Sequence, residues 1–207
     1  PMKDFLFRGA LTDLDPAVAL LNELEAERQF RRIILIPSES STPQAVRESL
    51  HSAFHNIYAE GYPPDELRAM PEEDILDYET RLADYRRYSD PRYYKGVEYA
   101  NLVESLARRR AAEAFAANGF TADDLYVNVQ ALSGGPANNA VYHALVTPGD
   151  TVMGMDLIYG GHLSHGSPVN RSGKYYKIVS YTIDPETERI NYDFLLELAL
   201  LHRPKMI

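Results

Sequence analysis

The chain of 207 residues contains no cysteine. This absence excludes disulfide scaffolds, thiolate metal sites and thiol nucleophiles together, and it is compatible with a reducing compartment. Residues 1–8 hold no apolar core of signal-peptide length, and no apolar run approaches the length of a membrane span. We therefore expect a soluble protein with no membrane partner, and the cytoplasm is the default compartment.

Basic residues are scarce, because 21 lysines and arginines face 30 aspartates and glutamates, for a net charge of −9. Such a balance argues against a nucleic-acid partner or an anionic membrane. Charged residues (25%) and hydrophobic residues (45%) have the proportions of ordinary globular proteins, which excludes collagen-like, low-complexity and wholly disordered classes. The length is enough for one large domain or two small ones.

Strand-like and helix-like segments alternate in the second half of the chain, which predicts an α/β fold built on a parallel sheet. Strands are expected at 125–132, 151–155 and 175–183, and helices at 98–117, 137–146 and 194–201. Upstream, Asp13 or Asp15 before Pro16 predicts the start of another helix. The chain stops on the apolar pair Met206-Ile207, as a strand interrupted at its start would, so we expect part of a longer protein.

An acidic segment lies between residues 64 and 91. It holds nine acidic residues against four arginines and so carries more than half of the net charge. Pro71 and the three acidic residues after it predict the start of a helix whose apolar face carries Ile75, Tyr78, Leu82 and Tyr85. The charge favours a solvated surface over one that covers a partner subunit. We divide the chain into an N-terminal arm (1–62), this insertion (63–91) and the first part of a large domain (92–207).

A turn of small residues, Ser133-Gly134-Gly135-Pro136, joins a predicted strand to a predicted helix. The glycines expose backbone N–H groups, Ser133 adds a hydroxyl, and the helix start adds its positive end, which together suit a phosphate group. No Lys-Ser or Lys-Thr pair follows, so a nucleotide P-loop is excluded, and the spacing also misses the dinucleotide fingerprint. The alternative is that the glycines only make a tight turn.

Two histidines, His162 and His165, lie in a glycine-rich segment. Their spacing could suggest a metal, but the chain has no thiolate and no carboxylate lies close in sequence, so we expect no metal site. An imidazole in such a loop suits stacking on a ligand ring or proton transfer near neutral pH. Two surface histidines without a function are the alternative.

Tyrosines surround one carboxylate and recur in a later pair. Glu60 lies between Tyr58 and Tyr62, and Tyr93 and Tyr94 follow. A carboxyl group in such a place can serve as a general acid or base, and tyrosines can line a flat aromatic ligand. Tyrosine-rich turns that merely pack at an interface are the alternative, and neither motif decides the function alone.

The order of the motifs carries more information than any one of them. In sequence they are Ile36-Pro37-Ser38-Glu39-Ser40, Tyr58-Ala59-Glu60-Gly61-Tyr62-Pro63, Arg92-Tyr93-Tyr94, Ser133-Gly134, the run GHLSHGSPVN at 161–170, the run DPET at 184–187 and His202-Arg203-Pro204-Lys205. This series resembles serine hydroxymethyltransferase from about residue 31 to the end of the chain.

The resemblance implies the α/β architecture of a fold-type-I pyridoxal-phosphate enzyme, here its N-terminal arm and part of a large domain with a mostly parallel sheet. That family interconverts serine and glycine and passes the one-carbon unit to or from tetrahydrofolate. The resemblance thus implies pyridoxal 5'-phosphate as the cofactor and tetrahydrofolate as the cosubstrate. It also implies a homodimer or a higher assembly.

The resemblance assigns ligand-binding roles to two loops. Ser133, Gly134 and Gly135 would bind the cofactor phosphate, and His162 would stack on the pyridine ring. The residues that would border the folate are Leu157, Gly161, His162 and Leu163.

The catalytic residues implied by the resemblance are Glu60, Tyr58, Tyr94 and His162. Glu60 would handle the proton of the hydroxymethyl group, with Tyr58 beside it. Ser38 would contact the substrate carboxylate, and Tyr93 and Tyr94 would line the substrate and folate region. In the family, the equivalents of Tyr58, Glu60 and Tyr94 enter the site of the neighbouring subunit.

The sequence departs from the family pattern at several positions. Gly135-Pro136 replaces Ser-Gln, Ser40 replaces Asn, Lys95 replaces Gly, and the insertion 63–91 separates two motifs that are normally almost continuous. These changes bear on folate and substrate more than on the cofactor. They leave open a folate-independent aldolase or an enzyme that acts on an α-substituted serine.

The family's Schiff-base lysine has no match in this chain, and neither have its pyridine-binding aspartate and its carboxylate-binding arginine. Lys205 precedes a strand, whereas the family's lysine follows a threonine-rich strand end. The resemblance therefore implies that this chain needs the remaining C-terminal part of the enzyme for activity. A non-catalytic fragment or partner subunit is a further alternative.

Overall fold

The computed structural model describes residues 9–207. The chain forms two compact units, one that extends to Tyr58 and one that runs from Ala59 to Ile207. The expected arm begins at residue 1, so its first eight residues, including the stretch inspected for a signal peptide, lie outside the described residues. Among the residues described, no helix is both long enough and apolar enough to cross a membrane.

The first unit is helical. Its helices are α1 (Leu11–Leu14), α2 (Pro16–Arg31) and α3 (Gln44–Leu50), followed by a 3-10 turn at Ala53–Asn56. Asp15 accepts the backbone N–H of Val18 at 3.1 Å, and Pro16 occupies the first helical position, which confirms the predicted start of α2. Most apolar side chains of α2 stay exposed, and Phe30 is 91% accessible.

The acidic insertion contains two helices where one was expected. They are α4 (Glu72–Ile75) and α5 (Tyr78–Tyr88), and a 3-10 turn precedes them at Asp65–Arg68. The prediction of a continuous helix was wrong because Asp77 accepts the N–H of Thr80 at 3.2 Å and so caps a new helix. Ile75 and Tyr85 are buried as the predicted apolar face requires, whereas Tyr78, which was expected on the same face, is 49% exposed.

The sheet of the second unit has two parallel strands, β1 (Thr151–Met155) and β2 (Lys177–Tyr181). Thr151 pairs with Lys177 and Met155 with Tyr181. β1 has the predicted bounds, whereas β2 is two residues shorter at each end than expected. Val152 also forms a parallel bridge with Met206, on the chain that follows the last helix.

Four helices follow the acidic insertion in the described part of the second unit. They are α6 (Glu98–Phe115), α7 (Gly134–Leu145), α8 (Arg171–Tyr175) and α9 (Tyr192–His202). Tyr142 of α7 stacks on Tyr176 with 5.3 Å between ring centroids, and Val146 and Val152 complete this buried cluster. α7 is thereby packed beside β1, so the start of the helix and the loop after the strand are held in a fixed relation.

The strand expected at 125–132 does not form within the described part of the chain. Its alternating pattern indicates an extended segment, but a strand also needs a partner with free backbone groups. Gln130 uses its side chain instead, since its Nε2 donates to the carbonyl of Gly61 and to Glu104, both at 2.9 Å. The segment therefore connects the start of α7 to the residue that follows Glu60.

Candidate functional site

The N-terminus of α7 forms an open set of hydrogen-bond donors. The helix begins at Gly134, three residues before the expected Ala137, with Ser133 as its N-cap. The Ser133 side chain makes no capping hydrogen bond, and a Cβ at Gly134 or Gly135 would meet no atom within 4 Å. Since Pro136 has no N–H, the donors at this end are the two glycine amides and the serine hydroxyl. Their chemistry and open surroundings suit a phosphate group.

The loop after β1 is shaped by close backbone contacts. Asp156 caps a short 3-10 turn, Leu157–Tyr159, by accepting the N–H of Ile158 at 3.0 Å. A Cβ at Gly161 would lie 2.1 Å from the carbonyl oxygen of Met155, so only glycine fits there. The chain consequently folds back on the end of β1 and presents His162 as the next residue.

His162 is connected to α7 through one buried serine. Its Nδ1 lies 3.1 Å from the backbone nitrogen of Ser164 and 2.8 Å from the Ser164 hydroxyl oxygen. The same hydroxyl accepts a hydrogen bond from Nδ2 of Asn138, at 2.8 Å. Asn138 lies four residues after Gly134, so these contacts link the helix that begins with the glycine turn to the imidazole.

His165 faces a different neighbour. Its Nδ1 lies 3.3 Å from the hydroxyl of Tyr142, and its ring stands edge-on to that of His162, at 63° and 5.8 Å between centroids. Burial raises the pKa of Tyr142, so the phenol remains protonated. Within residues 9–207, no group of three or more His, Cys, Asp or Glu side chains could hold a metal ion.

Arg92 holds the backbone around Glu60. Its Nη1 donates to the carbonyls of Ala59 and Gly61, at 2.6 and 2.9 Å, and the N–H of Tyr93 donates to the carbonyl of Glu60 at 3.2 Å. Three consecutive carbonyls are thus fixed, while the Glu60 side chain remains exposed. The Glu60 loop is rigid in its main chain and free in its carboxylate.

The remaining donors of Arg92 point to helix α6 and to the insertion. Nε donates to Asn101 at 2.5 Å, Nη2 donates to Glu104 at 2.6 Å, and the backbone N–H donates to Asp90 at 2.9 Å. Asn101 closes the network by donating to the second oxygen of Asp90, at 2.8 Å. Arg92 is only 2% exposed, so this buried charge has both an ionic partner and hydrogen-bond acceptors.

Sequence reasoning assigned no role to Asp90, Asn101, Glu104, Asn138 or Ser164, although Asn138 and Ser164 lie within motifs that it singled out. A signal was present for one pair, because Asn101 and Glu104 are three residues apart and therefore share a face of α6. No local pattern indicates that Asn138 and Ser164 meet, since 26 residues separate them.

Lys95, which replaces a glycine of the family pattern, is used within its own turn. Its Nζ donates to the carbonyl oxygens of Asp90 and Arg92. These two hydrogen bonds therefore stabilise the turn that carries Tyr93 and Tyr94. Tyr93 is exposed, and Tyr94 is about half exposed.

The other predicted site residues lie on the surfaces of their own units. Ser38 and Tyr58 are exposed in the first unit. In the second unit, Leu157 and Leu163 are exposed on either side of Gly161. Within that unit, the structure joins Ser133–Gly135 to His162 through Asn138 and Ser164, and it joins Glu60 to the Arg92 turn.

Comparison with models of known protein families shows to which family the chain belongs. The family model for serine hydroxymethyltransferase matches residues 11–89 and 82–207. The chain belongs to the serine hydroxymethyltransferase family. The match confirms the resemblance found in the ordered motifs, and the two matched parts overlap near the end of the acidic insertion. Members of this family are pyridoxal-phosphate-dependent transferases of fold type I, and mixed helices around a parallel sheet agree with that architecture in general terms.

Proposed function

We propose that this chain is the N-terminal part of a pyridoxal-phosphate enzyme that interconverts serine and glycine, with tetrahydrofolate as the one-carbon carrier. Family membership supports the reaction type. The observation that carries the proposal for this chain is the open turn Ser133–Gly135, connected to the His162 ring through Asn138 and Ser164. The open donors lie at the start of the helix whose Asn138 is hydrogen-bonded, through Ser164, to the exposed imidazole.

The residues present fit the cofactor. The hydroxyl of Ser133 and the amides of Gly134 and Gly135 would hold the phosphate, because a helix start with open donors favours an anion. The exposed ring of His162 would lie against the pyridine ring. When bound, pyridoxal phosphate supplies an electron sink for charge that develops at the α-carbon of the amino acid.

The remaining chemistry belongs to proton transfer and orientation by the protein. Glu60 would give a proton to, or take one from, the hydroxymethyl oxygen, since its main chain is fixed by Arg92 while its carboxylate is accessible. Tyr58 and Tyr94 would orient that oxygen. Ser38 would donate to the substrate carboxylate, and Tyr93 would border the substrate.

The proposed assembly is a homodimer or larger. We place Tyr58, Glu60 and Tyr94 in the site of the neighbouring subunit, as the family resemblance implies. Leu157, Gly161 and Leu163 would border the folate, next to His162. The three-part division into an arm, an acidic insertion and a cofactor-binding region, with the C-terminal part of the enzyme supplied after residue 207, belongs to the same proposal.

The test uses the full-length enzyme loaded with pyridoxal phosphate. We expect glycine to form from serine, and we expect tetrahydrofolate to accelerate the reaction. Equal rates with and without tetrahydrofolate would instead support a folate-independent aldolase, and a preference for an α-substituted serine would identify that relative. Failure to bind the cofactor would support a non-catalytic protein.

A further inference from the structure

We infer that Ser164 and Asn138 are positioning residues that lock the His162 ring in the tautomer with its proton on Nε2. The starting point is a geometric restriction. The backbone N–H of Ser164 can only donate a hydrogen bond, and it reaches Nδ1 of His162 at 3.1 Å. Nδ1 must therefore offer a lone pair, so the ring proton cannot be on that atom.

The Ser164 side chain strengthens the same preference. Its oxygen accepts a hydrogen from Asn138 Nδ2 at 2.8 Å, and it lies 2.8 Å from Nδ1 of His162. Because Nδ1 already acts as an acceptor, the hydroxyl proton must point to it. Ser164 is 7% exposed, which leaves the hydroxyl little access to water as a competing partner. Nδ1 thus receives two hydrogen bonds, one from the main chain and one from the side chain.

The two contacts also fix the plane of the ring. A 180° flip of the ring about the Cβ–Cγ bond would put Cδ2 in the place of Nδ1 and would break both hydrogen bonds at once. No carboxylate takes part in this arrangement, so the protein orients the imidazole through neutral donors. His162 itself remains exposed.

This arrangement has a functional meaning that rests on the function proposed above. An imidazole ring of fixed orientation can stack on a flat cofactor without first losing rotational freedom. Asn138 connects the orientation of this ring to α7, the helix whose first residues would hold the phosphate. Ser164 and Asn138 act through His162 and touch no reacting atom.

The tautomer can be measured without any cofactor. We would label the histidines of the chain with ¹⁵N and record the ring nitrogens in mildly alkaline buffer, where imidazole is neutral. In the unmodified protein, His162 should show a pyridine-like Nδ1 and a protonated Nε2. A protonated Nδ1 as the major form would overturn the inference.

Matched variants separate positioning from folding. Ser164→Ala keeps the backbone donor but removes the hydroxyl, so the excess of the Nε2–H form should fall by about fivefold, as expected for loss of one hydrogen bond. Ser164→Thr keeps the hydroxyl and should retain the original ratio. Asn138→Ala should lower the ratio less than Ser164→Ala does. Identical ratios in Ser164→Ala and Ser164→Thr would contradict the role of the hydroxyl.

The His143 signals and a cofactor titration distinguish a change of fold from a change of tautomer. The signals of His143, on α7 but outside this network, should not move, and their movement would mean that the variant had changed the fold. In that case the tautomer of the unmodified chain alone decides the inference.

Titration of the full-length enzyme with pyridoxal phosphate then tests the functional part, since the Ser164→Ala variant should bind the cofactor less tightly than the Ser164→Thr variant. Loss of cofactor binding in the unmodified enzyme would overturn the proposed function and leave the tautomer assignment standing.

Discussion

Arg92 holds Glu60 by its main chain and leaves its carboxylate free. The guanidinium, which is almost fully buried, donates to the carbonyls immediately before and after Glu60, at 2.6 and 2.9 Å. It is in turn fixed by Glu104 and Asn101 of α6. A carboxylate that must transfer protons benefits from such an arrangement, because the loop keeps its position while the acid remains accessible.

Removal of the Arg92 side chain should therefore lower the stability of the folded chain. Arg92→Ala leaves the Glu104 carboxylate without its ionic partner and the carbonyl of Ala59 without its donor, and we expect a loss of about 3–5 kcal/mol in the free energy of unfolding. Arg92→Lys keeps the charge but not the fork of donors, so most of the loss should remain. Urea denaturation of the chain measures the change.

The control for this prediction is an exposed ion pair of the same type. Arg110 binds Glu72 at 2.6 Å, but the two side chains are 58% and 34% accessible. Arg110→Ala should lower the free energy of unfolding far less than Arg92→Ala does, because an exposed ion pair contributes little in water. Similar losses in Arg92→Ala and Arg110→Ala would mean that the buried network does not stabilise the fold as we describe.

Two buried tyrosines provide a matched pair for a second prediction. Burial is the main reason that the pKa of Tyr85 rises to about 12, so its hydroxyl stays protonated, yet it has no hydrogen-bond partner among the described residues. Tyr85→Phe should leave the free energy of unfolding unchanged or raise it by about 1 kcal/mol. Tyr142→Phe should lower it by about 1 kcal/mol, because the Tyr142 hydroxyl contacts His165. A loss for Tyr85→Phe as large as that for Tyr142→Phe would show that an ordered water binds the Tyr85 hydroxyl.

Acid should weaken the start of β1 through Asp150. The backbone N–H of Thr147, the hydroxyl of Thr147 and Lys205 together lower the pKa of Asp150 from 3.8 to about 2. The ionised carboxylate therefore stabilises the folded state above about pH 4, and this contribution disappears as the pH falls towards 2. In urea melts across that interval, Asp150→Asn should flatten the dependence of stability on pH. Thr147→Val keeps the main-chain donor and should flatten it only in part, so a full effect would contradict the backbone N–H as the leading cause.

Local signals predicted much of the fold, because those elements depend on neighbours in sequence. Asp15 before Pro16 marks the start of α2, and β1 has the predicted bounds because its apolar run lies between a Pro-Gly-Asp turn and a glycine-rich loop. The break at Asp77 followed the same capping chemistry and was open to prediction from Asp77 and Thr80. These features needed no knowledge of the tertiary structure.

The contacts that organise the candidate site could not be read from local patterns. Arg92 reaches carbonyls more than thirty residues earlier in the chain, at Ala59 and Gly61. The segment 125–132 shows why periodicity alone is insufficient, since alternation predicts an extended chain but does not supply a partner strand. The ordered motifs predicted candidate site residues, and only the structure shows that Asn138 and Ser164 connect α7 to His162.

Alanine substitutions at two glycines of the candidate site should affect stability and cofactor binding differently. Gly134 lies at the first position of α7 with open space where a Cβ would be, so Gly134→Ala should keep the free energy of unfolding or raise it by up to about 1 kcal/mol. The same methyl group should weaken pyridoxal-phosphate binding by the full-length enzyme, because it would stand beside the phosphate donors. Gly161→Ala, in contrast, should destabilise the chain by about 2 kcal/mol or more, since its Cβ would overlap the carbonyl of Met155. Unchanged cofactor affinity in Gly134→Ala would contradict the placement of the phosphate.

In the full-length enzyme, substitution of Glu60 should chiefly lower turnover, whereas substitution of His162 should chiefly lower cofactor affinity. Glu60→Gln preserves the size of the side chain and the hydrogen bonds that Arg92 makes to the loop, so the cofactor should bind as before. Turnover of serine should fall by about 10²–10⁴-fold, the usual contribution of a general acid or base. His162→Ala should chiefly weaken cofactor binding, measured by absorbance titration, because the stacked ring is lost while Glu60 is untouched. Equal losses of turnover and cofactor affinity in Glu60→Gln would show that the carboxylate holds the active site together and does not transfer the proton.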